Sequence, residues 1–157
     1  MLTPEKIKGI QFEIWLELLL KFQGYQNVLR DVEYHKKRYL FRQVDVSYNP
    51  VKNGTIYLAI VEAKYSSNGQ IPYYLRKGEI NKCGQDIPGI DNLVDEVAER
   101  QRFVKANLSI LATNKHFEDK VKREAKRYGI RVIENEQLTK IYQDLGGKGS
   151  IDESIRS

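Results

Sequence analysis

The chain has 157 residues, a net charge of +5 and a sequence pI of about 9.2, with 41% hydrophobic and 30% charged residues. This balance is typical of one soluble globular domain, and no apolar run is long enough to span a membrane. The single cysteine, Cys83, excludes an internal disulfide, and the first residues carry no signal-peptide pattern, so we expect a reducing, cytoplasmic location. The basic charge favours acidic partners such as nucleic acid, although solubility alone would also explain it.

The first half of the chain is predicted to be one helix followed by a meander of strands. Thr3-Pro4 is an N-cap followed by proline, and the apolar-rich helix runs to about Gly24, so we expect it to be largely buried. Segments rich in Val, Ile and Tyr then predict strands at 28–34, 39–48 and 55–65. A basic turn over 35–38 joins the first two strands.

The second half begins with a long Gly- and Pro-containing loop over 66–88, of a length that is usually functional in a compact domain. A helix follows from Asp91 or Asn92 to about Lys105. The stretches LSILATN, HFEDKVKREAKRYG, IRVIE and EQLTKIYQDL then predict strand, helix, strand and helix. This alternation favours parallel strands joined by crossover helices.

Three charged residues lie where two neighbouring strands are predicted to end. Asp45 closes the run YLFRQVDV, and Glu62 and Lys64 lie near the end of TIYLAIVEAKY. Because side chains alternate along a strand, Glu62 and Lys64 share one face with Ile56, Leu58 and Ile60. A pair two residues apart is not well placed for direct contact. Buried charges are costly unless they are paired or bind a metal. The spacing allows a divalent-metal site, with solvated charges at strand ends as the alternative.

Most of residues 10–138 resembles the PD-(D/E)XK nuclease superfamily, and within it the Mrr-type restriction endonucleases. Their opening helix resembles FEIWLELLLKFQGYQNV, with matching places at Phe12-Glu13, Leu19-Leu20 and Gly24-Tyr25. Their two catalytic strands resemble RQVDV and IVEAKY, and their closing elements resemble ILATNKHFEDKVKREAKRYGIRVIENEQL. The resemblance implies an α/β domain with a restriction-endonuclease-like αβββαβ core around a mixed central sheet, extended by a C-terminal α-β-α. We expect residues 1–145 to form this domain and residues 146–157 to form a flexible tail.

The same resemblance implies hydrolysis of DNA phosphodiester bonds with Mg²⁺, for which Mn²⁺ would substitute. Asp45 and Glu62 are expected to bind the metal together with the Ala63 carbonyl. Lys64 is expected to orient or deprotonate the attacking water, or to stabilise charge in the transition state. Glu13 matches a first-helix glutamate that approaches the metal site, and an exposed helix glutamate is the alternative.

Gln101 is a further expected catalytic residue. It interrupts an apolar helical face formed by Leu93, Val97 and Val104, and a glutamine there needs hydrogen-bond partners. By the resemblance it would face the catalytic strands; the alternative is a glutamine at the edge of the core that caps a loop.

The chain also departs from the family pattern. Val44, rather than proline, precedes Asp45. Archaeal Holliday-junction resolvases share the core but carry a Gly- or Ser-containing turn where this chain has 35–38, and Lys105 occupies the place of a helix tyrosine in some relatives. The different turn over 35–38 weakens the resolvase interpretation, which stays as an alternative, whereas Val44 is a variation that the superfamily tolerates.

Basic and aromatic side chains in two segments are expected to bind DNA, by contacting phosphates and stacking on bases. They are Lys36, Lys37, Arg38, Tyr73, Tyr74, Arg76 and Lys77. We therefore predict a Mg²⁺-dependent endodeoxyribonuclease, with a homodimer expected by analogy because cutting both strands with one small site requires two copies. The alternatives are a structure-selective nuclease such as a Holliday-junction resolvase, and a non-catalytic DNA-binding protein with a vestigial nuclease site.

Overall fold

The computed structural model describes residues 2–76 and 89–156. Its helices are α1 (Pro4–Phe22), α2 (Leu93–Val104), α3 (Asp119–Arg127), α4 (Asn135–Asp144) and α5 (Ile151–Arg156). Its strands are β1 (Gln26–Lys37), β2 (Leu40–Asn49), β3 (Val51–Lys52), β4 (Thr55–Ile56), β5 (Ala59–Lys64), β6 (Gln70–Ile71), β7 (Leu108–Thr113), β8 (His116–Phe117) and β9 (Arg131–Ile133). None of the helices in that part of the chain has the length and apolar character that crossing a bilayer requires.

A mixed five-stranded sheet forms the centre of the fold, in the order β1-β2-β5-β7-β9. The pairs β1–β2 and β2–β5 are antiparallel, whereas β5–β7 and β7–β9 are parallel. The two parallel connections run through α2 and α3, as the alternation in the second half of the sequence predicts. The predicted mixed α/β architecture is confirmed.

Helices cover both faces of the sheet and create two hydrophobic clusters. On one face, side chains of α1, α4 and α5 contact Val46, Val61 and Ile110. On the other face, α2 and α3 contact Leu111 and Phe117. Because side chains alternate along each strand, residues next to Val46 and Val61 in sequence point towards α2.

Helix α1 is less buried than its composition predicts. The Thr3 side chain accepts a hydrogen bond from the Lys6 N–H and caps the helix, as expected for Thr-Pro. One side is buried, but Ile14, Leu18 and Phe22 form an exposed apolar stripe, and Phe22 is 75% exposed. The prediction of a largely buried helix is thus correct for one face only.

The strand predicted at 55–65 is broken in two. Thr55–Ile56 pairs with Val51–Lys52 as a small hairpin, and the central strand starts only at Ala59–Lys64. Ile56 is therefore exposed. Ile60, which belongs to the same expected apolar stripe and precedes Glu62 on β5, is buried. Likewise β1 extends through Lys37, so most of the predicted basic turn is strand.

The expectation that residues 146–157 form a flexible tail is corrected by the structure. This segment contains α5, whose Ile151 and Ile155 are buried in the cluster under α1. Trp15 Nε1 of α1 donates a hydrogen bond to Ser154 Oγ at 2.9 Å. Two isoleucines one turn apart give this short helix an apolar face, which is why it packs against α1.

Candidate active site

Asp45 lies where the two central antiparallel strands separate. The pairing of β2 with β5 includes Val46↔Val61 but does not extend to Asp45, which directly precedes Val46 in the chain. Beyond that point the Asp45 side chain, rather than the β2 main chain, binds β5: its Oδ2 accepts a hydrogen bond from the Ala63 N–H at 2.8 Å. The carboxylate thereby satisfies a backbone donor that the β2 main chain no longer reaches. This bond fixes Asp45 beside the residue that separates Glu62 from Lys64.

Glu62 and Lys64 project from β5 towards α2, as the predicted alternation requires. Glu62 is buried, with a side chain 3% exposed, whereas the Lys64 side chain is 20% exposed. The Lys64 Nζ lies 3.6 Å from Glu62 Oε1, so the expectation that this pair is poorly placed for contact is wrong. Residues two apart on a strand are separated by about 6.6 Å along the strand, and the long lysine side chain spans this distance.

Arg100 of α2 completes the cluster, and sequence reasoning missed it. Its Nη1 donates to Glu62 Oε2 at 2.7 Å, and its Nη2 lies 3.4 Å from Glu96 Oε1. Burial alone would lower the pKa of Arg100, but the carboxylates of Glu62, Glu96 and Asp45 outweigh it and raise the pKa, so the guanidinium stays charged. The signal that could have found it is the Glu-x-x-x-Arg spacing, which places both residues on one helix face.

Gln101, by contrast, is turned away from this cluster. Its Nε2 donates to the Ala106 carbonyl at 3.3 Å, just beyond the end of α2. It also lines a surface cavity of about 340 Å³ with Lys105 and Tyr128. This is the geometry of the alternative considered for it, a glutamine that caps a loop. The expectation that it faces the catalytic strands is corrected, because Glu96 and Arg100 occupy the inward face of α2.

Glu13 lies on α1, on the other side of the sheet from α2. Its Oε1 is 3.5 Å from Arg30 Nη1 of β1, and the glutamate is partly buried. It is therefore held in an ion pair across the helix–sheet contact. Its role in supporting a metal stays a prediction.

A polar cleft of about 290 Å³ opens where Lys64 reaches the surface. The first turns of α1, the segment after β5 and the start of α2 surround it. Three basic side chains and one acidic side chain line it, together with several polar residues: Lys8, Lys64, Arg76, Glu5, Ser66, Asn68 and Gln70. Lys8 was not singled out from the sequence, because a lone lysine in an amphipathic helix carries no signal of its own.

The side chains expected to bind DNA fall into two groups at opposite ends of α2. The exposed Lys36, Lys37 and Arg38 lie at the tip of the β1–β2 hairpin, where Lys36 Nζ is 4.4 Å from the ring centre of Phe103. Arg76 lines the cleft at the other end, and Lys77 lies outside the described residues.

The two tyrosines differ in what they can do. Tyr73 is 9% exposed, contributes to the hydrophobic cluster under α2 and has the Lys120 Nζ 4.6 Å from its ring centre, so its expected stacking on a base is corrected. Burial also raises the pKa of its hydroxyl. Tyr74 is 57% exposed, and its hydroxyl accepts a hydrogen bond from Lys120. Only Tyr74 of the pair presents a ring to a ligand.

The oxygen donors of this site fit Mg²⁺ if a substrate phosphate shares it. Within residues 2–76 and 89–156, no three acidic, histidine or cysteine side chains converge to form a metal cage. Mg²⁺ does not need one, since it is commonly bound by one or two carboxylates, waters and phosphate oxygens. Asp45 and Glu62 are two carboxylates brought to one point of β5, with the Ala63 main chain between them.

The fold has relatives among solved structures, although no family model and no curated protein matches the sequence. The structure of AF1548, a protein of unknown function, superposes with a TM-score of 0.62 at 14% identity, over 88% of this chain and 67% of that one. Can2 from Sulfobacillus thermosulfidooxidans, solved with cyclic tetra-adenylate, gives 0.58 at 14%, over 88% of this chain and 35% of its own. The DNA modification-dependent restriction endonuclease AspBHI gives 0.50 at 16%, over 93% and 37%.

The chain thus spans two thirds of the first of these proteins and little more than a third of the other two. At such identities the likeness concerns the fold. The order of elements, the mixed sheet and these neighbours together identify a restriction-endonuclease-like fold.

Proposed function

We propose that this protein is a Mg²⁺-dependent endodeoxyribonuclease related to the Mrr-type enzymes. The observation that carries the proposal is the meeting of Asp45, Glu62 and Lys64 at the point where β2 and β5 separate. The restriction-endonuclease-like fold supports it, and so does the basic cleft into which Lys64 opens.

Each residue of the site would have a distinct role. Asp45 and Glu62 would bind Mg²⁺, with the Ala63 carbonyl as a third ligand, and the metal would supply charge neutralisation at the scissile phosphate. Lys64, the member of the set that reaches the surface, would hold the attacking water by hydrogen bonds and offset negative charge on the phosphate. The Ala63 N–H would keep the Asp45 carboxylate in place throughout.

The DNA backbone would pass along α2 from the cleft to the hairpin tip. Leu93 lines the cleft and Phe103 lies under Lys36, so the two basic groups are separated by ten helical residues, about 15 Å. That distance corresponds to about four nucleotides of a single strand. Arg76 would therefore bind a phosphate near the cleavage point, and Lys36 one several nucleotides away.

A cleavage assay with isosteric variants tests the proposal. Asp45→Asn keeps an oxygen that can accept from Ala63 N–H but removes the charge, so it should fold normally and lose at least about 100-fold in cleavage. The matched control is Asp144→Asn, which removes a carboxylate exposed on α4 and paired with Lys140. Supercoiled, linear and four-way-junction DNA would be incubated with Mg²⁺, Mn²⁺ or EDTA.

The outcomes separate the alternatives. Cleavage of all substrates that requires metal and Asp45 supports the proposal, and cleavage confined to junctions would replace it with a resolvase. Binding of DNA without any cleavage would leave a non-catalytic DNA-binding protein. Double-strand breaks would further support the homodimer, which sedimentation of the wild type measures directly.

A further inference from the structure

A buried arginine lies between two buried carboxylates directly behind the proposed metal ligands. The side chains of Arg100, Glu62 and Glu96 are 4%, 3% and 2% exposed. Buried ions carry a desolvation cost that a purely structural pair seldom repays, since apolar side chains of similar volume stabilise a core as well or better. The cluster therefore calls for a functional explanation.

The charges around Glu62 are nearly balanced before any metal binds. Three carboxylates, Asp45, Glu62 and Glu96, share two cations, Lys64 and Arg100. Arg100 Nη1 lies 2.7 Å from Glu62 Oε2, on the carboxylate that is proposed to bind the metal. A divalent cation and the guanidinium therefore compete for the same carboxylate.

We propose that Arg100 is a positioning residue that acts as an internal counter-ion: it holds Glu62 in the metal-free protein and shifts to Glu96 when a divalent cation binds. This inference rests on the proposed metal-dependent function of the site. Glu96 lies one helical turn before Arg100, and its Oε1 is already 3.4 Å from Arg100 Nη2, so the second partner is in place.

The guanidinium also has hydrogen-bonding capacity that its present contacts do not use. Among the described residues, Arg100 Nε makes no hydrogen bond. A buried arginine that served only to lock the fold would be expected to satisfy its donors fully. Incomplete satisfaction fits a side chain that changes partners between the neighbouring carboxylates of Glu62 and Glu96.

Two substitutions should change metal affinity in opposite directions. Arg100→Met removes the competing cation at similar length, so Mn²⁺ should bind about tenfold more tightly although the metal-free protein is less stable. Glu96→Gln removes the charge to which the guanidinium would move, so Mn²⁺ should bind about tenfold more weakly. The control pair is Arg42→Met and Glu99→Gln, which alters a neighbouring ion pair between β2 and α2 and should leave affinity unchanged.

The measurement is titration calorimetry of the full chain with Mn²⁺, with circular dichroism to verify folding. If both variants bind Mn²⁺ like the wild type, while Asp45→Asn does not bind, the inference fails and the proposed function stands. If Asp45→Asn binds like the wild type, or the wild type does not bind, both fail. Should Arg100→Met not fold, Glu96→Gln and Arg100→Lys decide: Arg100→Lys keeps the charge and should bind within about threefold of the wild type.

Discussion

Lys64 is partly exposed, whereas the other charged residues of the candidate site are buried. Those buried residues are Asp45, Glu62, Glu96 and Arg100. Its Nζ contacts Glu62 on the buried side, and its position lines the polar cleft on the outer side. An ammonium group placed between a buried carboxylate and an open cleft can contact both that carboxylate and a ligand in the cleft. This placement favours a role in the chemical step over a role in stability.

Lys64→Met should therefore separate binding from catalysis. The substitution keeps the length of the side chain and removes its charge, so we expect cleavage to fall by about 100-fold or more. Mn²⁺ binding should persist, since the ammonium group is not a ligand and its loss removes a positive charge from the site. Single-turnover cleavage and Mn²⁺ titration of the same protein samples provide both numbers. A variant that cuts DNA as fast as the wild type would exclude Lys64 from the chemical step.

At this scale, the sequence predicted the strand residues of the candidate site but not the two residues of α2 beside them. Asp45, Glu62 and Lys64 are visible because charged groups interrupt apolar strands with a period of two. On α2 the same logic singled out Gln101, since it interrupts an apparent apolar face. The actual inward face contains Glu96 and Arg100, and the sequence alone suggests that these charges face solvent, because it does not show that Arg100 contacts Glu62 of β5.

Among the elements, α5 has a structural role that its Gly-rich surroundings conceal. Asn114, which directly follows β7, donates to the Ser66 carbonyl and to Asp152 Oδ1, and its own oxygen accepts from the Ser66 N–H. Lys115 adds an ion pair to Asp152 at 2.6 Å. The segment that leaves β5 just after Lys64 is thus tied to α5, and α5 indirectly fixes one wall of the cleft.

This anchor should make stability depend on pH in the acid range. Burial alone would raise the pKa of Asp152, but hydrogen bonds from Asn114 and Lys115 outweigh it and lower the pKa below its usual 3.8. A lowered pKa in the folded state stabilises the protein above the unfolded-state value, and this stabilisation is lost as the pH falls through the lowered value. Asp152→Asn should thus cost about 1 kcal/mol at pH 7 and progressively less below pH 4.

Urea unfolding of both proteins at pH 7, 5, 4 and 3 measures this difference in the free energy of unfolding. A difference that stays constant down to pH 3 would contradict the role of the charged carboxylate. The matched control is Asp144→Asn, whose carboxylate is exposed and pairs only with Lys140 on its own helix among the described contacts, so it should have little effect at any pH.

Element boundaries were predictable where periodicity was strong, as in α1, β2, α2 and β7. The errors occurred where a local signal was overridden by contacts distant in sequence. Ile151 and Ile155 are spaced for one helix face, but a six-residue helix is too short to be stable alone, and its packing against α1 and α4 orders it. The break before β5 was equally difficult to predict from the sequence. Thr55–Ile56 has the composition of a strand, but it pairs with β3 instead of continuing into β5.

At the scale of the whole molecule, whose net charge is +5, basic side chains gather at two places near the ends of α2. Lys8, Lys64 and Arg76 meet at the cleft, and Lys36–Arg38 lie at the far end of α2. Two basic groups at the ends of one helix would contact a phosphate backbone at two separate places. The exposed stripe of Ile14, Leu18 and Phe22 lies on α1, on the other side of the sheet, so a second copy or another domain could cover it without blocking either place.

If the backbone binds at the cleft, Lys8 contacts a DNA phosphate although it belongs to no recognised motif. Each lysine–phosphate contact releases about one counterion, so Lys8→Ala should weaken binding to every DNA sequence alike and reduce the slope of log K against log salt by about one. The control is Lys140→Ala, a lysine whose side chain is 77% exposed on α4, a helix that contributes no residue to the cleft. Fluorescence anisotropy with duplex DNA in EDTA, from 50 to about 300 mM salt, measures both slopes without cleavage. Equal slopes for the two variants would mean that the cleft is not where the backbone binds.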